Sequence, residues 1–351
     1  MNHTTHPSVT RRQYLGGLGT AATIGVSGLA GCTASGSGGL SELRLAYMPI
    51  YPDMQYFVMR EEGFLTDLPV DVVAEQFSDG PSIVQASAKG DFDVMMFGVV
   101  PAMIVMDKGI PAKIAAANIE NAMQILAHDD FADRFANHGA DAFTTFEEER
   151  GRKFKFGTFP PGSVPDILLR FWLDEHLGVD PENDVEIVGM AGAGPVRQGL
   201  LAGRIDGTSI MEPVPTIVAA KGAPYQSIAW AGDFMPGQPA AVTLLHDRLR
   251  TDNRDIAEAF IEQHVRATRF VNTNPDTAAQ HASTVIGPQT LPVDVARKAM
   301  DSRASSFISD PHRIEDGAGI FARYANRLGK TENELTIDGM FDYGIYDEVT
   351  G

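Results

Sequence analysis

Residues 85–94 read QASAKGDFDV, and residues 198–207 read QGLLAGRIDG. In each stretch a helical segment ends at a glycine, Gly90 or Gly203, and an apolar residue and an aspartate then lead into a β-rich segment. Glycine commonly ends helices because it adopts the left-handed backbone conformation without a steric penalty. Helix–glycine–strand turns are common, but they do not require matching apolar and acidic positions after the glycine. We therefore predict two lobes of similar construction.

Strand and helix patterns alternate on both sides of these stretches. In the first part of the chain they predict strands over 43–48, 70–77, 94–97 and 112–117, and helices over 53–63, 82–89 and 101–109. In the second part they predict strands over 154–158, 185–188, 207–211, 225–231 and 240–245, and helices over 165–177, 196–201 and 215–221. The remainder is predicted to be helical, over 254–272, 275–285, 292–304 and 312–328. This alternation predicts an α/β fold with parallel sheets.

The N-terminus has the order of an export signal. Arg11 and Arg12 precede a glycine-rich apolar stretch that is too short for a membrane span, and small residues then lead to Cys32. The arginine pair is typical of the twin-arginine pathway. We expect residues 1–31 to be a lipoprotein signal, Cys32 to carry the lipid, and residues 32–41 to form a flexible tether. Cys32 is the only cysteine, so an intrachain disulfide and catalysis by a buried thiol are excluded.

The charge balance is strongly acidic. The chain has 28 basic and 46 acidic residues and a net charge of −18, which becomes −20 when the two arginines of the signal are removed. A surface of this kind disfavours nucleic acids, which bind basic patches. It also repels anionic lipid headgroups, so membrane attachment would depend on the tether. We expect adaptation to high salt, where dense carboxylates keep a protein soluble; an ordinary acidic secreted protein is the alternative.

Several segments together resemble a known family. They are RLAYMP at 44–49, the stretch 85–98, PPGSVPD at 160–166, the stretch 199–206 and MEP at 211–213. Their order and spacing resemble the periplasmic substrate-binding proteins of ABC importers in the nitrate, sulfonate and taurine group, which have the type 2 binding-protein fold. The resemblance covers about residues 43–328, almost the whole mature chain.

The resemblance implies two α/β lobes that are joined by two hinge crossings, carry C-terminal helices and close on a ligand. Lobe 1 would comprise residues 42–121 and 241–351, and lobe 2 residues 122–240. It also implies a monomeric receptor outside the cytoplasmic membrane that delivers a small solute to a permease and its ATPase. The expected ligand is a small organic anion similar to a sulfonate, nitrate or taurine. A pyrimidine or another heterocyclic vitamin precursor is the alternative.

Ligands of open parallel sheets bind beyond the carboxyl ends of the strands. The candidate ligand-binding residues in these loops are Tyr51, Phe77, Ser78, Ser82, Phe97, Gly98, Gly162, Ser163 and Glu212. Ser82 and Ser163 begin predicted helices, where free N–H groups favour an anion. Either serine could instead only cap its helix, in a capping box with Gln85 or Asp166. The candidate loops contain no arginine or lysine, and their acids would suit an amine or heterocycle better.

An enzymatic function is not expected. Residues 189–194 are glycine-rich, but Pro195 follows at once and a lone glycine cluster is weak evidence for a dinucleotide site. The histidines are scattered, so the sequence predicts no metal site, and no cofactor is expected. The remaining enzymatic alternative is a pyrimidine-precursor enzyme of the same fold, which would be intracellular and would lack an export signal.

Overall fold

Two β-sheets organise residues 39–351, the part of the chain that the computed structural model describes. The predicted signal and the predicted lipidation of Cys32 lie outside the described residues. The strands are β1 (Glu42–Tyr47), β2 (Asp71–Gln76), β3 (Val94–Gly98), β4 (Ala112–Glu120), β5 (Met123–His128), β6 (Phe154–Thr158), β7 (Val185–Gly189), β8 (Gly207–Met211), β9 (Tyr225–Trp230), β10 (Pro239–His246) and β11 (Ser306–Phe307).

Helices fill most of the connections between the strands. They are α1 (Met54–Glu61), α2 (Gly80–Ser87), α3 (Val99–Asp107), α4 (Asp129–His138), α5 (Asp141–Arg150), α6 (Val164–Phe171), α7 (Ala193–Leu201), α8 (Val214–Ala220), α9 (Ala231–Phe234), α10 (Asp247–Arg250), α11 (Arg254–Thr273), α12 (Pro275–Ile286), α13 (Val293–Met300), α14 (Glu315–Arg327), α15 (Ile337–Met340) and α16 (Gly344–Thr350). A 3₁₀ turn, Tyr51–Asp53, precedes α1, and a π-helical segment, Trp172–Leu177, continues α6. Within residues 39–351 no helix is both long and apolar enough to span a bilayer.

Five strands of the first sheet have the same order as the five strands of the second, and β11 extends the first sheet. The first sheet runs β11-β4-β10-β3-β1-β2, and the second runs β7-β6-β8-β5-β9. In each, the strand next to one edge pairs in parallel with both of its neighbours, β1 with β2 and β3, and β6 with β7 and β8. Each also has a returning antiparallel strand, β10 or β5, beside the last of these. The predicted α/β class with two sheets is confirmed.

The repeated sequence pattern makes the same hydrogen bonds in both sheets. Asp93, before β3, accepts the backbone N–H of Arg44 at 2.7 Å. Asp206, before β8, accepts the backbone N–H of Lys155 at 2.8 Å. Because each aspartate joins the start of one strand to the start of its neighbour, the aspartate position of the repeat has a structural role.

Some elements differ from their predicted bounds or were not predicted. The stretch 122–153 carried no prediction, yet it forms β5, α4 and α5. The predicted helix over 292–304 ends earlier, at Met300, because residues 301–305 turn back and lead into β11. This turn brings C-terminal residues to the first sheet, where β11 pairs with β4.

Candidate functional site

The loops that follow the strands of the two sheets meet each other. Gly98 ends β3 in the first sheet, and Val164 begins α6 beside the second sheet. A Cβ atom on Gly98 would lie 3.5 Å from Cγ2 of Val164, which is van der Waals contact. The carboxyl ends of parallel strands are where α/β proteins bind ligands, so we take this meeting region as the candidate site.

Tyr51 lies in the 3₁₀ turn after β1 and is almost completely buried. Its hydroxyl is 3.0 Å from Oγ of Ser305, and its ring centroid is 5.4 Å from that of Phe307. Burial raises the pKa of Tyr51, and the negative charge of Glu212 raises it further. Tyr51 therefore lies within electrostatic range of a carboxylate that belongs to the second sheet.

Glu212 follows β8 and is only 3% exposed. Its carboxylate accepts the backbone N–H of Thr216 at 3.2 Å and Nε2 of Gln124 at 3.3 Å. Burial raises the pKa of Glu212, and these donors together with the hydroxyl of Ser302 partly offset the rise. Glu212 thus connects α8 and β5 to the turn that precedes β11.

Ser302 and Ser305 are contributors that were absent from the predicted site. Both lie in the turn between α13 and β11, one near Glu212 and the other against Tyr51. A helix was predicted across most of this turn, and no local signal connects it to strand ends far away in sequence. The two serines reach the site only because the chain returns to the first sheet after α13.

Ser163 is the N-cap of α6, as predicted. Its Oγ accepts the backbone N–H of Asp166 at 3.4 Å, and the Asp166 carboxylate accepts the N–H of Gly162 at 2.8 Å. The Asp166 side chain is fully buried; burial raises its pKa, and Arg170 opposes the rise. The start of α6 therefore already holds a carboxylate of the protein itself.

Gly162 packs against a lysine from the C-terminal part of the chain. A Cβ atom on Gly162 would lie 2.4–2.5 Å from three side-chain carbons of Lys330, and the φ of Gly162 is +85°. Only glycine fits such a position without strain. The candidate loops contain no cation of their own, but the fold brings Lys330 onto one of them.

The predicted capping role of Ser82 is wrong. The helix begins at Gly80 and its N-cap is Asp79, whose Oδ1 accepts the N–H of Ser82 at 2.8 Å and its hydroxyl at 2.7 Å. Pro81 explains the earlier start, because proline is favoured in the first turn of a helix. Ser78 donates to the same carboxylate at 2.9 Å. Ligand contacts of Ser78 and Ser82 remain predictions.

The two phenylalanines among the candidates pack within the protein. Phe97 is fully buried on β3, and half-buried Phe77 packs edge-to-face on Phe92 at a centroid distance of 5.6 Å. Phe77 follows β2, an outer strand, whereas Phe97 lies on β3, near the middle of the first sheet. Ligand contacts of both residues remain predictions.

The nine candidates thus lie in three places. Tyr51, Gly98, Gly162, Ser163 and Glu212 lie where elements of both sheets meet, and Phe77, Ser78 and Ser82 lie at the β2 edge. Phe97 belongs to the core of the first sheet. Among residues 39–351 no group of three or more metal-ligating side chains could hold a metal ion.

The fold is shared with solved binding proteins of import systems. The periplasmic aliphatic sulphonate-binding protein SsuA of Escherichia coli superposes with a TM-score of 0.70 at 14% identity, over 86% of this chain and 97% of that one. The periplasmic nitrate-binding protein NrtA of Synechocystis PCC 6803 gives a TM-score of 0.69 at 16% identity, over 88% of each chain.

Sequence comparison leads to the same group of proteins. The bicarbonate-binding protein CmpA of Synechococcus sp. is 27% identical over 295 residues, which is 74% of this chain and 62% of that protein. This chain therefore spans less than two thirds of the length of that relative. Residues 37–286 match the NMT1-like family, which is more than half of the sequence. The chain belongs to the NMT1-like family.

Proposed function

We propose that this protein is an extracytoplasmic receptor that binds a small solute between its two sheets and delivers it to an ABC importer. The observation that carries the proposal is the contact of Gly98, at the end of β3 in the first sheet, with Val164, at the start of α6 beside the second sheet. Tyr51 and Glu212 lie within electrostatic range of each other at this junction. A ligand held at such a junction would stabilise the closed arrangement of the two lobes. Relatives named as bicarbonate-binding and nitrate-binding proteins support this function. The receptor would carry out no chemistry.

The receptor is proposed to be a monomer held on the outer face of the cytoplasmic membrane. The twin-arginine signal would export it, lipid on Cys32 would retain it, and the tether over 32–41 would let it reach the permease and ATPase subunits. Lobe 1 would comprise residues 42–121 and 241–351, and lobe 2 residues 122–240. Changing Cys32 to serine should release the protein into the medium, and a variant that stays membrane-bound would contradict lipid anchoring.

We propose a small organic anion as the ligand, with one restriction that Glu212 imposes. A buried carboxylate repels a bare oxyanion but accepts a hydrogen bond from an anion that also carries a donor. Taurine has an ammonium group and bicarbonate has a hydroxyl, whereas nitrate and simple alkanesulfonates have no donor. Asp166 at the start of α6 is already paired with Arg170, so Glu212 alone sets this preference for donor-bearing anions.

A heterocyclic vitamin precursor is the second candidate. The ring N–H and amino groups of a pyrimidine could donate to Glu212, and the Tyr51 ring offers an apolar surface beside it. The favouring observation is again the buried carboxylate, which an uncharged ligand would not repel. A pyrimidine-precursor enzyme of this fold is disfavoured by the predicted export signal, because such an enzyme would be intracellular.

A thermal-melt panel at high salt tests the function and the ligand class together. The panel comprises taurine, bicarbonate, nitrate, methanesulfonate and an aminopyrimidine, because binding to the native state alone raises the melting temperature. We expect a shift with donor-bearing ligands and none with nitrate. In Glu212→Gln the amide can donate, so nitrate should gain affinity; Glu186→Gln, at an exposed position of β7, is the matched control.

Two outcomes would count against this proposal. If no small molecule shifts the melt, and mass spectrometry finds no ligand carried through purification, the receptor function is contradicted. If nitrate binds the wild type as well as taurine does, the receptor function stands and the restriction set by Glu212 is wrong.

A further inference from the structure

A closed cluster of polar side chains lies in the first sheet beside the turn that holds Tyr51. All of its members are 0% exposed, so the set is sealed from solvent: Asp53, Gln55 on α1, Asn118 on β4, Thr243 on β10 and His264 on α11. Asn118 is its centre: Nδ2 donates to Oδ1 of Asp53 at 2.8 Å, and Oδ1 accepts the hydroxyl of Thr243 at 2.8 Å. The cluster joins the Tyr51 turn to β4 and β10.

The hydrogen bonds of this cluster leave acceptors without donors. Nε2 of His264 lies 3.0 Å from Oδ1 of Asn118, so Nε2 carries the proton and Nδ1 is a bare lone pair. The amide nitrogen of Gln55 lies within hydrogen-bond distance of three oxygens, two of them backbone carbonyls, so this atom is the NH2 donor and the remaining atom is the acceptor Oε1. In this cluster three buried atoms have no hydrogen-bond partner among residues 39–351: Oδ2 of Asp53, Oε1 of Gln55 and Nδ1 of His264. All three accept hydrogen bonds if Asp53 is ionised.

The charges that face Asp53 do not favour an ionised carboxylate. Among residues 39–351 Asp53 forms no ion pair. The amide of Met48, just after β1, lowers its pKa somewhat, but the N–H of Met48 donates to the carbonyl of Met96. On β4 Asn118 donates to Asp53, and β10 reaches the cluster only through the Thr243 hydroxyl. The titratable neighbour on α11, His264, is neutral, because burial lowers its pKa to about 3. Tyr51, in the same turn, is also neutral, because burial raises its pKa. An ionised carboxylate in such surroundings is strongly disfavoured.

We propose that Asp53 carries a proton in the folded protein at neutral pH, because its carboxyl group is sealed from solvent, forms no ion pair among the described residues and receives the amide of Asn118 on one oxygen while the other has no donor. The Tyr51 turn is then fully stable only while Asp53 is neutral. Burial raises the pKa of Asp53 to about 8, which agrees with this geometry. The inference needs no ligand, so it stands or falls independently of the proposed receptor function.

The direct test is carbon-13 NMR of the wild-type protein labelled at aspartate carboxyl carbons. One resonance should have the position of a protonated acid at pH 7 and should move on titration near pH 8, and Asp53→Asn should lack it. Asp79→Asn, which changes an exposed helix cap, is the matched control and should keep it. If every aspartate resonance at pH 7 is that of a carboxylate, the proposal is wrong.

The second test follows stability with pH. A carboxyl with a raised folded pKa stabilises the fold most below its unfolded pKa, near 4, and loses that stability as the pH rises to about 8. Between pH 5 and pH 7.5 the wild-type unfolding constant should rise about tenfold per pH unit relative to Asp53→Asn. If the unfolding constants of the wild type and Asp53→Asn change with pH in the same way, the proposal is wrong. A stabilisation by sodium at constant ionic strength that Asp53→Asn abolishes would also overturn it, because a cation would then pair with an ionised Asp53.

Discussion

The first and second sheets share one pattern of backbone hydrogen bonds, but the aspartates in that pattern pair with arginines from different parts of the chain. In both, an aspartate just before one strand, β3 or β8, accepts a backbone N–H near the start of the parallel neighbour, β1 or β6: Asp93 from Arg44 and Asp206 from Lys155. The arginine that pairs with each aspartate has a different origin: Arg248 comes from α10, after β10, and Arg152 from the loop before β6. The backbone role is thus the repeated feature, and a nearby arginine is recruited separately in each sheet.

The returning strands extend this comparison. The N–H of His246, at the end of β10, donates to the carbonyl of Asp93, and the N–H of His128, at the end of β5, donates to that of Asp206, both at 2.9 Å. Each histidine then caps the next helix through Nδ1, at 3.2 Å for His246 and 3.4 Å for His128. The sheets differ mainly in exposure, because the side chain is 1% exposed in Asp93 and 18% in Asp206.

The largest effect is expected for Asp93→Ala. This change leaves the N–H of Arg44 and the guanidinium of Arg248 without their buried acceptor, which should lower the free energy of unfolding by about 3–4 kcal/mol. Urea unfolding followed by circular dichroism measures it. Glu75→Ala, on the exposed strand β2, is the control and should stay within about 0.5 kcal/mol of the wild type.

A smaller loss is expected for Asp206→Ala. Arg152 forms two hydrogen bonds to this aspartate, at 2.6 and 2.8 Å, but its side chain is 51% exposed and stays hydrated when the partner is removed. We expect a loss of about 1–2 kcal/mol, mainly from the N–H of Lys155. The same urea measurement decides the matter. A loss as large as that of Asp93→Ala would show that exposure does not distinguish the two sheets.

The third prediction concerns pH and His246. Its ring accepts the N–H of Arg248, and only the neutral ring can accept; burial lowers the pKa of His246, which keeps the ring neutral in the folded protein. A lowered histidine pKa means that this stability is present at pH 7.5 and is lost as the pH falls below about 6.5.

The variant His246→Asn separates this effect from the rest of the titration. Asparagine caps helices at any pH, so wild-type stability should fall relative to His246→Asn between pH 7.5 and pH 5.5. Thermal unfolding at several pH values measures the difference, and His128→Asn provides the same change in the second sheet. A constant difference between wild type and His246→Asn over this range would show that the ring is not the cap.

The repeated backbone plan could be predicted from sequence because it depends on local signals. The glycine, the apolar residue and the aspartate of each repeat lie within ten residues, and the structure gives each the expected turn. The stretch 122–153 has no such marker, so β5 and its two helices were missed. Ser302, Ser305 and Lys330 are brought to the site by chain folding alone. Pro81 is a local signal for the true start of α2, because proline is favoured in the first turn of a helix.

The two helix starts offer the smallest and most specific prediction. Ser163 caps α6 with its own Oγ. Ser82 is instead the third residue of α2, and Asp79 caps that helix. Ser163→Ala should therefore cost about 1 kcal/mol, and Ser82→Ala only a few tenths, because Asp79 keeps the N–H of Ser82 satisfied. Urea unfolding of both variants, with Asp79→Ala as the control that removes the true cap, measures the contrast. If Ser82→Ala costs as much as Asp79→Ala, its hydroxyl holds the Asp79 carboxylate in its capping position.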